Sequence, residues 1–185
     1  MILTEIERQG EKSFIPVIGP KKGQILDDVV RESKPRIILE VGTYIGYSAI
    51  RMARLVSEDA KIVTIEMNVK SAEIAKSNIE KVGFSKKIKI IVGDAKKVIK
   101  TLDEIFDLVF LDAEKYEYLT YLKLVERKLH KGSRIVADNA GVFATEMKNY
   151  LDYVRESRTY RSRYYESTLE FRDDIKDGVE VSVRL

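Results

Sequence analysis

The stretch Ile37–Ile50 constrains the fold most, because it predicts a buried strand, a tight glycine turn and the start of a helix. Four of the five residues 37–41 are apolar, which is typical of a central parallel strand covered on both faces. Gly42 and Gly46 allow the backbone to turn and to approach a ligand closely. Such a turn can cradle a nucleotide or an anion. Many strand-to-helix turns carry glycine without any ligand, so this stretch alone leaves a purely structural role open.

Composition excludes several classes of function. Charged residues make up 34% of the chain but sum to a formal charge of only +3, so overall charge does not favour a nucleic-acid or membrane partner. The chain has no cysteine, which excludes disulfides and thiolate chemistry and is typical of a reducing compartment. Its single histidine argues against a zinc site. Without a signal-peptide core or a bilayer-spanning apolar run, we expect a cytoplasmic protein with no membrane partner.

Strands and helices alternate along most of the chain, and no composition shift divides it. The sequence therefore predicts one domain over residues 1–185, with residues 1–20 as a short N-terminal lead and cap segment. Five strand–helix units are predicted, with strands at 37–41, 61–66, 88–92, 106–112 and 134–139.

The end of the chain changes character. Strands at 164–171 and 179–185 are joined by 173–178, a connection too short for a helical crossover, so they should pair antiparallel. The pattern predicts a seven-stranded, mostly parallel α/β sheet with one antiparallel strand and helices on both faces. His130 is expected to follow a helix over 116–129, where a cation interacts favourably with the helix dipole.

Polar, mostly acidic residues follow the predicted parallel strands. They are Gly42, Glu66, Asp94, Asp112 and the pair Asp138–Asn139. Each acidic residue could simply cap the next helix, but their succession favours a ligand site, since ligands of open α/β sheets bind beyond the carboxyl ends of the strands. Glu66 lies about twenty residues after the glycine turn, which suits a carboxylate that accepts ribose hydroxyls. This pattern does not separate a nicotinamide dinucleotide from S-adenosylmethionine (SAM).

Short motifs in a fixed order carry a family resemblance. They are Lys22–Asp27, Ile37–Ser48, Tyr47–Leu55, Glu66–Asn68, Gly93–Ala95, Phe110–Lys115, Val136–Asn139 and Leu169–Phe171. With them the chain resembles the metal-dependent class I O-methyltransferases of small molecules, and within that family the catechol O-methyltransferase group, from about residue 14 to residue 185. The resemblance implies a Rossmann-like class I methyltransferase fold with SAM lying over Gly42.

The same resemblance assigns roles to individual residues. The cofactor-binding set that it implies is Ile18, Gly42, Tyr44 and Ser48 toward the methionine end, Glu66 at the ribose, Met67 and Ala95 at the adenine, with Asp94 and Asp112 beside them. Asp112, Asp138 and Asn139 match the metal ligands of the family, and an all-oxygen set suits Mg²⁺ or another hard divalent cation.

Two further matches concern the acceptor. Lys115 matches the catalytic lysine, and Glu170 matches the carboxylate that holds the second hydroxyl of a catechol. The resemblance thus implies SAM- and Mg²⁺-dependent methylation of a hydroxylated small molecule with vicinal hydroxyls. Deprotonation of the acceptor and its alignment with the methyl group are the chemistry that such a site must supply.

Other functions remain open. Residues 155–165 interleave basic and aromatic side chains, a pattern that can bind RNA, and some members of the resembled family methylate hydroxylated tRNA nucleosides. A noncatalytic SAM-binding protein is a third hypothesis, but Lys115 and the metal set would then have no use. The resembled enzymes carry two helices before the position of Phe14, whereas only thirteen residues precede it here. The acceptor side could therefore be more open, or the second subunit of a homodimer could complete it.

Overall fold

The predicted sheet is present in the computed structural model, which describes residues 2–185. Its strands are β1 (Ile37–Val41), β2 (Lys61–Glu66), β3 (Ile88–Val92), β4 (Phe106–Leu111), β5 (Leu129–Ala137), β6 (Tyr160–Leu169) and β7 (Arg172–Arg184). They lie side by side in the order β3-β2-β1-β4-β5-β7-β6. Only β7 runs against its neighbours, pairing antiparallel with both β5 and β6. The prediction of seven strands with one reversed is therefore confirmed.

Helices cover both faces of the sheet, as predicted. They are α1 (Ile2–Gly10), α2 (Gly19–Ser33), α3 (Tyr47–Ala53), α4 (Val69–Lys81), α5 (Ala95–Thr101), α6 (Tyr118–Val125) and α7 (Lys148–Glu156). Successive residues of β1 point to opposite faces, so Ile38 packs in the core with α1 to α4 while Leu39 packs in the core with α5 to α7. Within residues 2–185, no helix combines the length and the apolar character that crossing a bilayer requires.

The N-terminal lead is more structured than the sequence analysis predicted. It contains helix α1, which buries Leu3, Ile6 and Gly10 on one face, a spacing of three and four residues that an amphipathic helix produces. The hydroxyl of Tyr47 in α3 donates to Glu7 Oε1 at 2.5 Å and ties the two helices together. A Cβ on Gly10 would lie 2.3 Å from the ring of Phe171, so this helix also packs against the turn between β6 and β7.

The expected position of His130 is wrong. The helical segment ends earlier, at Lys128, and β5 already begins at Leu129, which pairs with Phe106. The ring of His130 contacts Asp107 Oδ1 at 2.9 Å instead of capping a helix. Pairing with β4 therefore determines the structure here, although the local sequence is polar. His130 contacts Asp107 near the start of β4, at the end of the sheet opposite the strand-end site.

The terminal hairpin is longer than predicted. Its turn lies at Glu170 and Phe171, where Phe171 has φ 54°, and residues 173–178 belong to β7 instead of forming a loop. Strand β5 pairs with β7 only over 134–137, so the hairpin extends past the end of β5. The sequence of this extension is typical of a loop, because it is rich in charged residues and neither face of the strand is consistently apolar. The extension carries Glu170 back over the carboxyl ends of the strands.

Candidate active site

A cleft opens where the parallel strands end, and most of the predicted cofactor residues line it. They are Gly42, Tyr44, Ser48, Glu66, Met67, Ala95 and Asp112. Pro16 and Val17 also reach this cleft, whereas Ile18 is buried in the core and borders a second cavity next to Glu170. Asp94 begins α5 and accepts a hydrogen bond from the backbone N–H of Lys96 at 2.8 Å.

Gly42 is required by the packing of two strand ends. It has φ 98°, and a Cβ built there would lie 2.3 Å from the carbonyl oxygen of Asp112. No other residue type fits this position without displacing the backbone after β4. The glycine therefore brings the β1 turn, on which the cofactor cleft is built, into direct contact with Asp112.

Glu66 is fixed at the end of β2 by the backbone. Its Oε2 accepts the N–H of Tyr44 at 2.7 Å, and its Oε1 accepts the N–H of Asn68 at 2.8 Å. Tyr44 adopts φ 47°, the left-handed conformation that turns its N–H toward this carboxylate. Each carboxylate oxygen can accept a further hydrogen bond, so Glu66 presents a preorganised acceptor pair to the cleft.

The sequence analysis missed a buried glutamate below the cleft. Glu40 lies within β1, is fully buried, and accepts hydrogen bonds from Ser48 and Thr64. Burial raises the pKa of Glu40 from 4.5 to about 7, against the opposing effect of those two hydrogen bonds. A charged residue between Leu39 and Val41 in an otherwise apolar strand was the signal available in the sequence.

This raised pKa predicts how stability depends on pH. Between pH 4.5 and pH 7 the folded chain keeps a proton on Glu40 that the unfolded chain has released. The contribution of Glu40 to the free energy of unfolding should therefore fall as pH rises across this window, by at most about 3 kcal/mol. Glu40→Gln should remove this dependence, as measured by urea unfolding of both proteins across the window. A stability difference between them that does not change with pH would contradict the assignment.

Two aspartates meet at the ends of β4 and β5. Leu111 and Ala137 are register partners, so Asp112 and Asp138 are the next residues on two adjacent parallel strands. The backbone N–H of Asp112 donates to Val41 and that of Asp138 donates to Leu111, which continues the sheet into the site. Burial is the largest cause that raises the pKa of both carboxyl groups above the ordinary value.

One carboxylate oxygen of Asp138 has no hydrogen-bond partner. Its Oδ1 lies 2.7 Å from Lys22 Nζ and accepts the N–H of Asn139 at 2.7 Å, whereas Oδ2 is buried without a hydrogen-bond partner. Asn139 has φ 59°, which asparagine tolerates, and its amide nitrogen donates to Glu170 Oε1 at 2.8 Å and Asp177 Oδ2 at 3.0 Å. The amide oxygen of Asn139 is therefore available for another ligand, as is Asp138 Oδ2.

A buried lysine joins these groups to the hairpin. Lys22 Nζ lies 2.7 Å from Asp177 Oδ2 and also contacts Glu170, and its side chain is fully buried. Although burial lowers the pKa of Lys22, the charges of Asp138, Glu170 and Asp177 raise it above the ordinary value for lysine. The sequence analysis noted Lys22 only within a motif and gave Asp177 to a loop, so neither was assigned to the site.

Lys115 lies beside the aspartate pair. Its Nζ donates to Asp112 Oδ1 at 3.0 Å and to the hydroxyl of Tyr118 at 2.9 Å, and 15% of its side chain is exposed. Tyr118 is fully buried, and its hydroxyl is the second hydrogen-bond partner of the amine. The structure thus brings together Asp112, Lys115, Asp138, Asn139 and Glu170 as a second group next to the cofactor cleft.

The basic and aromatic residues 155–165 lie elsewhere, on the end of α7, on the connection 157–159 and on β6 at the edge of the sheet. Arg155 forms two hydrogen bonds to the buried carboxylate of Glu180, at 3.0 and 2.6 Å. The guanidinium of Arg163 lies 4.9 Å from the ring centre of Tyr165. Part of this set is therefore used within the fold.

Known proteins with similar sequences and structures support the family resemblance. The model of the O-methyltransferase family matches residues 1–181. The chain is 42% identical over 175 residues to catechol O-methyltransferase B of Danio rerio, covering 91% of this chain and 65% of that protein. It is 37% identical over 173 residues to catechol O-methyltransferase of Sus scrofa, covering 90% and 91% of the two chains. The chain thus spans just under two thirds of the zebrafish relative but nearly all of the pig relative.

Solved structures share the fold. The O-methyltransferase from Bacillus cereus in complex with SAH has a TM-score of 0.87 with this chain at 23% identity, covering 100% of this chain and 91% of that chain. The O-methyltransferase of tomaymycin synthesis from Streptomyces achromogenes, in complex with SAM, has a TM-score of 0.86 at 24% identity, covering 98% and 88%. These likenesses confirm the Rossmann-like class I methyltransferase fold. The family match over residues 1–181 shows that this chain belongs to the O-methyltransferase family.

Proposed function

We propose that this protein is a SAM- and Mg²⁺-dependent O-methyltransferase that acts on a small molecule with vicinal hydroxyl groups. The observation that carries the proposal is the buried, unpartnered Oδ2 of Asp138, next to Asn139 and to Asp112 on the adjacent strand. Asp112 lines the cofactor cleft and lies on the strand next to Asp138, so a donor bound in the cleft and an acceptor bound at Asp138 would be neighbours. The names of the zebrafish and pig relatives favour a catechol-type acceptor.

The residues present fit a hard divalent cation. Asp138 Oδ2 lacks a partner, Asn139 has committed its amide nitrogen but not its oxygen, and Asp112 has one oxygen that Lys115 does not contact. Oxygen-only donors suit Mg²⁺. When bound, this ion would lower the pKa of the acceptor hydroxyl that it contacts.

The residues around this set handle the acceptor. Glu170 uses Oε1 for Lys22 and Asn139, so Oε2 can accept the second hydroxyl of a catechol. We assign Lys115 as the group that accepts the proton of the hydroxyl to be methylated. The acceptor oxygen then forms a C–O bond to the methyl carbon of SAM while the C–S bond breaks, and the sulfur keeps the electron pair. The protein contributes alignment and deprotonation, because the sulfonium already activates the methyl group.

The cofactor half has its own residues. Glu66 offers two oxygens, each held by a backbone N–H, to the ribose hydroxyls of SAM. Gly42, Tyr44, Ser48, Met67 and Ala95 all line the same cleft. We assign Tyr44 and Ser48 to the methionine end of SAM, and Met67 and Ala95 to its adenine. Ile18 borders the cavity next to Glu170, and Asp94 begins α5, so neither is among the residues that line this cleft.

A screen of acceptors tests the proposal. Methyl transfer from labelled SAM in the presence of Mg²⁺ is measured with catechol, a caffeoyl ester, a flavonoid and bulk tRNA. We expect labelled products from acceptors with vicinal hydroxyls, because Glu170 and the metal site each engage one oxygen. Transfer to tRNA alone would replace the small-molecule acceptor with the RNA alternative. SAM binding without transfer to any acceptor would favour the noncatalytic hypothesis.

Replacing Glu66 tests the cofactor half separately. Glu66→Ala should weaken SAM binding about 10- to 100-fold, since hydrogen bonds to a charged group contribute about 1.5–3 kcal/mol. Isothermal titration calorimetry of the wild type and the variant measures this change. Glu73→Ala, an exposed glutamate on α4, is the matched control and should leave the affinity unchanged. Equal SAM affinities of wild type and Glu66→Ala would remove the ribose role.

A further inference from the structure

One lysine lies inside a group of three carboxylates. Oxygens of Asp138, Glu170 and Asp177 lie within 4.8 Å of one another, and all three side chains are buried. The ammonium of Lys22 contacts all three, at 2.7 Å from Asp138 Oδ1 and Asp177 Oδ2. These contacts join residues far apart in sequence, on α2, at the end of β5 and on the terminal hairpin.

A positive group stabilises the charged form of this cluster. Three buried carboxylates cannot all carry charge at this separation unless a positive group lies between them. Among residues 2–185, a close group of acidic ligand atoms of this kind occurs only here, and its spacing would suit a divalent cation. The amine of Lys22 supplies the positive charge in place of an ion.

The contacts divide the oxygens of the site into two classes. Those toward Lys22 are Asp138 Oδ1, Glu170 Oε1 and Asp177 Oδ2, and Asp177 Oδ1 is occupied by the N–H groups of Gly141 and Val142. The oxygen that faces away from the lysine on Asp138, Oδ2, is the one buried without a partner. Lys22 thus contacts one carboxylate oxygen of Asp138 and leaves the other, buried oxygen without a partner.

We propose that Lys22 is a positioning residue that acts as an internal cation: it fills the three-carboxylate pocket, excludes a divalent metal from it, and directs Asp138 Oδ2 and Glu170 Oε2 toward the reaction site. The statement about Glu170 Oε2 rests on the proposed function. The exclusion of a metal from the pocket depends only on Lys22 and its three partners.

Divalent-cation binding tests this inference without measuring activity. Mg²⁺ is titrated by calorimetry into the wild type, Lys22→Ala, Lys22→Met and Lys21→Ala, and thermal unfolding is followed with Mg²⁺ or with a chelator. Lys22→Ala removes the charge and leaves space, whereas Lys22→Met removes the charge but fills the space. Lys21→Ala is the matched control, because that lysine is exposed and pairs with the exposed Asp173 at 2.6 Å.

We expect Lys22→Ala to bind one more Mg²⁺ than the wild type and to be stabilised by Mg²⁺ to a greater extent. Lys22→Met should lose stability without gaining this site, and Lys21→Ala should match the wild type. Lys22→Ala with the wild-type stoichiometry and no additional stabilisation by Mg²⁺ would overturn the inference, as would failure to fold both with and without the ion.

The same titration separates this inference from the proposed function. A wild type that binds no Mg²⁺ would contradict the metal site at Asp112, Asp138 and Asn139. If the wild type binds no Mg²⁺ and Lys22→Ala binds one, this gain would still support the role of Lys22. Positioning of Glu170 adds a kinetic expectation: Lys22→Ala should raise the KM for catechol at least about tenfold while the Kd for SAM stays unchanged. A purely structural role would reduce the folded fraction without this selective change.

Discussion

Replacing Asp138 with asparagine should reduce kcat/KM for methyl transfer to catechol about a thousandfold or more. The substitution keeps the shape of the side chain but removes the charge of Asp138, whose Oδ2 is buried and has no hydrogen-bond partner. Loss of metal polarisation at an acceptor oxygen costs several kcal/mol, and each 1.4 kcal/mol or so is a factor of ten in rate. Initial rates at saturating SAM, measured over a Mg²⁺ titration, give the effect.

Asp107→Asn is the matched control for Asp138→Asn. Asp107 lies in β4 and accepts the backbone N–H groups of Arg36 and Ile37 at 2.7 and 2.8 Å, at the end of the sheet opposite the cleft. This control should change stability but not the Mg²⁺ dependence of the rate. The metal assignment fails if Asp138→Asn retains wild-type rates and the same response to Mg²⁺, with SAM binding intact in both proteins.

Replacing Lys115 with methionine should lower kcat about 10²- to 10⁴-fold, the range typical of losing a general base. The lysine amine lies between Asp112 and the buried hydroxyl of Tyr118, which fix its position next to the metal set. Because SAM binding does not use this amine, the Kd for SAM should stay unchanged. Single-turnover rates with catechol and calorimetry with SAM measure the two quantities.

Two further variants separate a base from a simple positive charge at Lys115. Lys115→Arg keeps the charge but cannot accept a proton, so it should remain as slow as the methionine variant. Lys96→Met removes a partly exposed lysine that pairs with Glu117 nearby and should leave kcat unchanged. Recovery of kcat by arginine would show that charge is sufficient and would contradict the role of a base.

The parallel part of the fold could be predicted closely from the sequence. Strands β1 to β4 have the predicted bounds to within one residue. The inner strands β1, β2 and β4 are buried on both faces and form nearly continuous apolar runs, whereas the edge strand β3 is only partly buried. The local sequence did not predict the bounds of strands that depend on pairing with a neighbouring strand. Leu129 and His130 join β5 through contact with β4, and residues 173–178 join β7 although their charges resemble those of a loop.

The site was predictable where it depends on strand ends and not where it depends on distant contacts. Asp112 and Asp138 follow adjacent strands, so their meeting is a consequence of the topology. Lys22 contacts Glu170 and Asp177, which lie 148 and 155 residues away in the sequence. The spacing of apolar residues predicts helices and strands but not contacts between such distant residues. Helix α1 was missed for a different reason, since its apolar face is formed by only a few residues.

The central claim is that a metal site and Glu170 together hold two vicinal oxygens while SAM supplies the methyl group. The most direct test is kcat/KM for catechol and for phenol, each measured with Mg²⁺ and with a chelator. We predict transfer to catechol that requires Mg²⁺ and at least about a hundredfold lower value for phenol, which cannot engage Glu170 and the metal site at once. Equal rates for the two acceptors, or transfer to catechol that continues in the chelator, would contradict this account.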